Sequence, residues 1–196
     1  MRDRTREHFY RMAKREGYRS RASYKLKQLN NRYRLIRRGD VVVDLGAAPG
    51  GWLQVAREAV GEKGLVLGVD VQPIEKLPFE NVVTLVGDVT DEKTSELLLH
   101  TLPKPADVLL SDLSPKITGV WDVDHERSIE LARCALRTAR RILSHGGKML
   151  IKVFQGRLLA DFIKELKAEF DFVKVSKPEA SRKRSAEVYI VATGKK

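Results

Sequence analysis

The chain has 196 residues and a formal net charge of +11 at pH 7, a length that suits one domain. Its single cysteine, Cys134, excludes an intramolecular disulfide and a metal site built from cysteines. The sequence contains no apolar run of about 18 residues and opens with no apolar signal segment, so we expect a cytoplasmic protein without a transmembrane helix.

The positive charge is concentrated at one end of the chain. Residues 1–38, here called the N-terminal segment, hold 14 Lys/Arg and 3 Asp/Glu, whereas the other 158 residues hold 23 of each. Four of the five tyrosines also lie in this segment. Basic residues interleaved with aromatics are typical of surfaces that bind RNA with unstacked bases. We therefore predict one domain at 39–196 that carries a basic RNA-binding arm at 1–38; a solvated tail that only aids solubility is the alternative.

After residue 39, strand-like and helix-like patterns alternate, which predicts an α/β fold with a mostly parallel sheet covered by helices on both faces. The spacing also predicts an arm helix at about 20–33. The last two strands have only residues 176–186 between them, so we expect them to form an antiparallel hairpin. The predicted strands span 41–45, 65–70, 82–86, 107–111, 148–154, 172–175 and 187–192, and the predicted helices span 53–60, 94–100, 125–143 and 157–170.

A glycine-rich turn with the sequence D-L-G-A-A-P-G-G-W follows the first strand, at residues 44–52. A P-loop is excluded because Trp52 and Leu53 replace the Lys and Ser/Thr that contact phosphate and magnesium. Ala48 replaces the second glycine of the dinucleotide-binding fingerprint, which disfavours a nicotinamide cofactor.

Aspartates stand at the ends of the first four strands: Asp44, Asp70, Asp88 and Asp112. The carboxyl ends of parallel strands meet at one edge of a sheet, so these groups are expected to cluster there. An acidic edge repels phosphates but accommodates a cation, and the carboxylate after the second strand can accept hydrogen bonds from ribose. A nucleoside with a positive centre, S-adenosylmethionine, satisfies both conditions. The alternative is that these aspartates cap helices and form turns.

A lysine, Lys152, interrupts the apolar strand M-L-I-K-V-F. Lysine is rarely buried without a partner, and the candidate partners are Asp112 and Glu187. Such a lysine either takes part in chemistry or forms a structural ion pair.

The chain resembles the FtsJ/RrmJ-type (RlmE-like) ribosomal RNA 2′-O-methyltransferases. The similarity extends over nearly the whole chain through six motifs: Y-R-S-R-A-S-Y-K-L at 18–26, the glycine turn at 44–52, G-D at 87–88, S-D-L-S-P at 111–115, K-V-F-Q-G at 152–156 and S-R-K-R-S-A-E-V-Y at 181–189. The resemblance implies a Rossmann-like methyltransferase fold with seven strands, of which the last is antiparallel. It also implies methyl transfer from S-adenosylmethionine to a ribose 2′-hydroxyl, with a uridine of large-subunit ribosomal RNA as the expected target and no metal ion.

The family's catalytic tetrad corresponds here to Lys25, Asp112, Lys152 and Glu187, and its cofactor contacts correspond to Gly50, Trp52, Asp70, Asp88 and Asp112. We expect Lys152 to accept the hydroxyl proton; a charged Lys152 that orients the hydroxyl is the alternative. A second basic cluster precedes Glu187 and is expected to flank the site together with the N-terminal segment; it comprises Lys174, Lys177, Arg182, Lys183 and Arg184.

Lys116 stands where many relatives carry asparagine, and it adds a positive charge near the expected entrance for the substrate. A tRNA 2′-O-methyltransferase, a small-molecule methyltransferase, a nicotinamide-dependent oxidoreductase and a non-catalytic RNA-binding protein are the competing functions. We expect the protein to be a monomer.

Overall fold

The computed structural model describes residues 4–182 and 185–196. It contains seven strands in one sheet, together with six helices in the described part of the chain. The helices are α1 (Arg4–Arg15), α2 (Ser23–Tyr33), α3 (Gly51–Val60), α4 (Glu92–Thr101), α5 (Trp121–Ile142) and α6 (Leu159–Glu169). The strands are β1 (Val41–Leu45), β2 (Leu65–Asp70), β3 (Val82–Val86), β4 (Ala106–Ser111), β5 (Leu143–Phe154), β6 (Phe170–Ser176) and β7 (Glu187–Lys195).

The strands are arranged in the order β3-β2-β1-β4-β5-β7-β6. Pairing is parallel from β3 across to β5, whereas β7 runs antiparallel to both of its neighbours, β5 and β6. The seven-stranded Rossmann-like sheet and its antiparallel last strand are therefore confirmed. Strands β2 and β3 are added on one side of β1 and strand β4 on the other, so the strand order reverses between β1 and β4. This is the position where open α/β sheets bind ligands.

Helices cover both faces of the sheet, and the alternation along β1 shows how the core is divided. Val41, Val43 and Leu45 point to a core that includes α5 and α6. Val42 points to a second core that includes α2 and α3. Both faces of β1 are apolar because successive side chains of a strand point in opposite directions and each face is covered.

The N-terminal segment contributes to the second core. Tyr18, Tyr24, Leu26 and Leu29 are buried there, and Phe9 packs against Tyr24 with 5.3 Å between the ring centroids. The expectation that the aromatics of this segment present their faces to RNA is therefore wrong for Tyr18 and Tyr24, which stabilise the fold instead.

Several element boundaries differ from those predicted. Helix α1 was not predicted, although Phe9, Met12 and Ala13 stand at the spacing of a helix face and pack into the second core. Ala13 is the one buried residue among the described side chains of α1. Strand β5 starts five residues early, at Leu143, with a register shift opposite β4. Lys183 and Arg184 of the second basic cluster lie outside the described residues. No helix within the described ranges is long and apolar enough to cross a membrane.

We expect the packing of α2 to be essential for stability. Leu29 is buried, so Leu29→Ala should lower the free energy of unfolding by about 2–5 kcal/mol, measured by urea denaturation. Leu97→Ala on the exposed face of α4 is the matched control and should change it by less than about 0.5 kcal/mol. An equal change in the free energy of unfolding for the two variants would show that the packing of α2 contributes little to stability.

Candidate active site

Lys152 lies at the carboxyl end of β5 and is buried, with 7% of its surface exposed. Its Nζ donates to the backbone carbonyl of Asp112 at 2.7 Å and lies 3.2 Å from the Asp112 carboxylate. Asp112 directly follows β4, the strand that pairs with β5. Adjacent parallel strands therefore bring the two charges together, and the ion pair offsets part of the cost of burying the lysine.

A second ion pair lies beside the first and joins distant parts of the chain. Lys25 on α2 donates a hydrogen bond to the carboxylate of Glu187, the first residue of β7. Both side chains are largely buried. The structure thus brings all four residues of the predicted tetrad to one edge of the sheet.

Tyr189 links the two ion pairs. Its fully buried hydroxyl lies 3.0 Å from Asp112 Oδ1 and 3.2 Å from Glu187 Oε1. A phenol has one proton and can donate to one carboxylate at a time. The sequence analysis assigned no role to Tyr189; its spacing of two from Glu187, which places both side chains on one face of β7, was the available signal.

Electrostatics keep this network in a defined protonation state. Burial raises the pKa of Glu187, but the charge and hydrogen bond of Lys25, together with Lys152, outweigh it and hold that pKa below its usual range. Burial, reinforced by Asp112 and Glu187, raises the pKa of Tyr189 well above its usual value. The network therefore holds an ionised Glu187 and a neutral phenol.

Residues of the N-terminal segment pack against the glycine turn. Gly50 has a φ of +106°, which favours glycine, and a side chain on Gly51 would meet the Ser23 hydroxyl at 2.7 Å. The guanidinium of Arg19 donates to the carbonyls of Pro49 and Glu75, at 3.1 and 2.6 Å. Arg19 thus ties this turn to the loop that follows β2, a contact that the sequence analysis missed.

Beside this turn lies a cleft of about 540 Å³, lined by Arg19, Ala48, Pro49, Asp70, Gln72, Pro73, Ile74 and Glu75. The Asp70 carboxylate accepts hydrogen bonds from the backbone N–H groups of Ala48 and Gln72, both at 2.9 Å. A carboxylate has further lone pairs on each oxygen, so Asp70 can also accept from a ligand in the cleft.

Asp44 is the least compensated charge in the site. It is fully buried, and neither carboxylate oxygen has a hydrogen-bond partner within the described chain. Burial raises its pKa well above the usual value, and the neighbouring Asp112 and Asp70 raise it further. A cationic ligand bound near these three carboxylates would reduce their mutual repulsion.

Two of the predicted cofactor residues use their side chains within the protein. The Trp52 ring is buried, and its indole N–H donates to the carbonyl of Ala22 at 2.8 Å. Asp88 is exposed and accepts from the N–H and hydroxyl of Thr90, and the N–H bond is the larger cause of its lowered pKa. Trp52 therefore anchors the N-terminal segment, and Asp88 stabilises the turn after β3.

Comparison with known proteins places this arrangement in a family. Residues 18–195 match the family described as FtsJ-like methyltransferase. The chain is 55% identical over 190 residues to the ribosomal RNA large subunit methyltransferase E of Methanothrix thermoacetophila, covering 97% of this chain and 72% of that protein. It is 52% identical to the protein of the same name from Methanothermobacter thermautotrophicus, covering 96% and 90%.

Solved structures agree with these sequence relationships. A Plasmodium falciparum protein assigned as a ribosomal RNA methyltransferase superposes with a TM-score of 0.81 at 28% identity, over 91% of this chain and 98% of that chain. Fibrillarin from Aeropyrum pernix, solved with natively bound S-adenosyl-L-methionine, shares the fold with a TM-score of 0.58 at 20% identity, over 81% and 68%. The resemblance noted in the sequence is confirmed, and the chain belongs to the FtsJ-like methyltransferase family.

Proposed function

We propose that the protein transfers a methyl group from S-adenosylmethionine to a ribose 2′-hydroxyl of large-subunit ribosomal RNA, with a uridine as the target. The observation that carries this proposal is the buried network Lys152–Asp112–Tyr189–Glu187–Lys25, which lies at the carboxyl edge of the sheet. The names of the relatives, all ribosomal RNA large subunit methyltransferases, support the substrate.

The residues beside the glycine turn fit S-adenosylmethionine, which supplies an electrophilic methyl group on a positively charged sulfur. We propose that Asp70 accepts from the ribose hydroxyls of the cofactor, and that Asp88 contacts its adenine. Trp52 would contribute its backbone N–H, because the first N–H groups of α3 have no partners within the helix. Gly50, whose own N–H donates to the carbonyl of Ala47, would let the cofactor approach the turn closely because it has no side chain. The carboxyl of Asp44, which has no hydrogen-bond partner among the described residues, and the carboxylate of Asp112, which is paired with Lys152, would lie near the positive charges.

We assign to Lys152 the contact with the 2′-hydroxyl. To act as the proton acceptor, the Lys152 ammonium must first release its own proton to solvent; the neutral amine then has two N–H groups and one lone pair. Two N–H groups match the two oxygens of Asp112 that lie beside Nζ, which leaves the lone pair to accept the hydroxyl proton. Glu187 and Lys25 position this centre, because Tyr189 connects Glu187 to Asp112. Alignment of the two reactants supplies much of the rate acceleration.

The RNA would approach across the basic surface of the N-terminal segment and the second basic cluster, whose Lys174, Lys177 and Arg182 are exposed.

The four residues of the tetrad come from one chain, so a monomer suffices for activity. We place the reaction in the cytoplasm, on large-subunit ribosomal RNA that is either free or part of a ribosomal particle.

The assignment of Lys152 is tested by transfer of a labelled methyl group to unmethylated large-subunit ribosomal RNA. Lys152→Ala should lower kcat by about a hundredfold or more, since general base catalysis contributes about 10²–10⁴, while cofactor affinity measured by calorimetry is retained. Lys164→Ala, at an exposed lysine on α6, is the control and should keep full activity. Near-normal turnover by Lys152→Ala would refute the role of this residue.

The role of Asp44 predicts proton release when the cofactor binds. Because the cationic ligand favours the carboxylate, binding should release a proton from Asp44 at a pH between the usual carboxyl pKa and the raised pKa of the ligand-free protein. A pH series by calorimetry in two buffers of different ionisation enthalpy detects this release. Asp44→Asn should bind more weakly and lack this buffer dependence. The same dependence in both proteins would locate the released proton elsewhere.

Asp44 also makes the ligand-free protein less stable as the pH rises. Its pKa is higher in the folded than in the unfolded chain, so folding takes up a proton and stability falls as the pH rises above about 4. The decline ends once the pH exceeds the folded pKa. Asp44→Asn should show a smaller decline in a urea-denaturation series across this range.

The basic surface predicts a salt-dependent affinity for RNA. Lys14 and Arg15 are exposed at the end of α1, so replacing both with glutamate should reduce the slope of log K against log[salt] by about 1 to 2. Replacing the exposed Lys164 and Lys167 of α6 with glutamate makes the same change in charge and should leave the slope nearly unchanged. An unaltered slope in the double variant would exclude this surface from RNA binding.

A further inference from the structure

A second cavity, of about 290 Å³, lies next to the tetrad and takes no part in the reaction assigned above. It is lined by Ile117, Gly119, Trp121, Asp124, Phe154, Ser185, Ala186 and Glu187. Glu187 belongs to both sites, since its carboxylate also binds Lys25. The volume equals about ten times the share of one water molecule in the liquid, which suits a single planar ring system.

The floor of this cavity is an aromatic platform. Trp121, the first residue of α5, is 49% exposed, and its ring is stacked nearly parallel to that of Phe154, with 6.1 Å between centroids and 21° between planes. Phe154 pairs with Glu187 across the β5–β7 ladder and lies two residues beyond Lys152. Two strand residues span about 6.6 Å, so the platform is within one nucleotide of the reacting centre.

The platform is held rigidly from below. Trp121 also stacks on His125, with 6.4 Å between centroids and 18° between planes. The buried His125 accepts from the N–H of Leu158 through Nε2, so its Nδ1 donates to the carbonyl of Phe154; both contacts are 3.1 Å. This ring cannot turn without losing two hydrogen bonds.

The loop beside the platform is fixed in the same way. Asp124 accepts from the backbone N–H groups of Thr118 and Gly119, at 2.8 and 3.1 Å, and from the Thr118 hydroxyl. The exposed Trp121 face therefore exists before any ligand binds, which reduces the entropy lost when a ligand stacks on it.

The surroundings favour a nucleobase over an apolar protein segment as the occupant. One wall carries Glu187 and one rim carries Lys177, which donates to the carbonyl of Ser185 at 2.6 Å. Lys116 is exposed in the middle of the loop that connects β4 to Trp121. The flat aromatic floor suits a base, because every base can stack on an aromatic ring. The lysines at the rim suit the phosphates of the same nucleotide, because lysine attracts phosphate.

We propose that Trp121 stacks on an unpaired base of the RNA substrate, at or beside the methylated nucleotide, while the ribose lies at Lys152. This proposal rests on the function proposed above, and it adds a residue that recognises the substrate without contacting the cofactor. The base would have to leave its helix, so this site selects nucleotides that are unpaired or easily unpaired.

Steady-state kinetics with unmethylated large-subunit ribosomal RNA test the proposal. Trp121→Ala should raise KM by about ten- to hundredfold with cofactor affinity unchanged, as expected for the loss of one stacked base. Trp121→Tyr keeps an aromatic face and should remain within a few-fold of the unchanged protein. Val120→Ala is the control, because Val120 is 58% exposed and adjacent but does not line the cavity. An unchanged KM in Trp121→Ala would overturn the proposal.

Fluorescence gives a readout that does not depend on activity. Trp52 is 3% exposed, so quenching by RNA reports mainly on Trp121. A short oligouridylate should quench the emission, whereas an abasic ribose-phosphate oligomer of equal length should not, and Trp121→Tyr should lose the quenching. Equal quenching by both oligomers would overturn base stacking.

The two proposals fail in different ways. Absence of methyl transfer to RNA by the unchanged protein would refute the proposed function. Normal methyl transfer, with a Trp121→Ala defect confined to intact ribosomal subunits and absent with free RNA, would refute base stacking alone and identify a ribosomal protein as the occupant.

Discussion

The constraint on which this structure depends is the burial of two ammonium groups at one edge of the sheet. Lys25 and Lys152 are 6% and 7% exposed, and a buried charge without a partner costs several kcal/mol. Each therefore has its own carboxylate, Glu187 or Asp112, and one phenol joins the two pairs. Loss of any one of the four charged residues leaves its partner without a counter-charge, and Tyr189 holds the two pairs in one arrangement.

This constraint also explains why the basic N-terminal segment is not a detached arm. Lys25 must reach Glu187, and α2 brings it there by burying Leu26 and Leu29 against the sheet. The same segment places Arg19 over the glycine turn and receives the indole N–H of Trp52. The segment that carries the surplus positive charge therefore also covers the proposed cofactor site and supplies one member of the tetrad, so RNA bound to it would lie close to the site.

The sequence predicted most of the fold, because the strands are apolar on both faces and end at aspartates or glycines. It also predicted that Lys152 needs a carboxylate. The pairing of each lysine with one carboxylate could not be predicted, since Asp112 and Glu187 are equally plausible partners until β7 is placed beside β5. Tyr189 and Arg19 were missed because a tyrosine in an apolar strand is usually core, and an arginine in a basic segment is usually surface. Their roles arise from tertiary contacts with residues 77 and 56 positions away.

The distribution of charge determines which part of an RNA can enter the site. The surplus of +11 lies in the first 38 residues, whereas Asp44, Asp70 and Asp112 make the adjoining strand ends acidic. Phosphates are attracted to the first region and repelled by the second, so a backbone drawn along the basic surface would turn its phosphates away from the carboxylates. The neutral ribose is the part of the backbone that can approach Lys152 without this repulsion. The opposition of charge thus orients the substrate before any base is recognised, and stacking on Trp121 would then select the nucleotide.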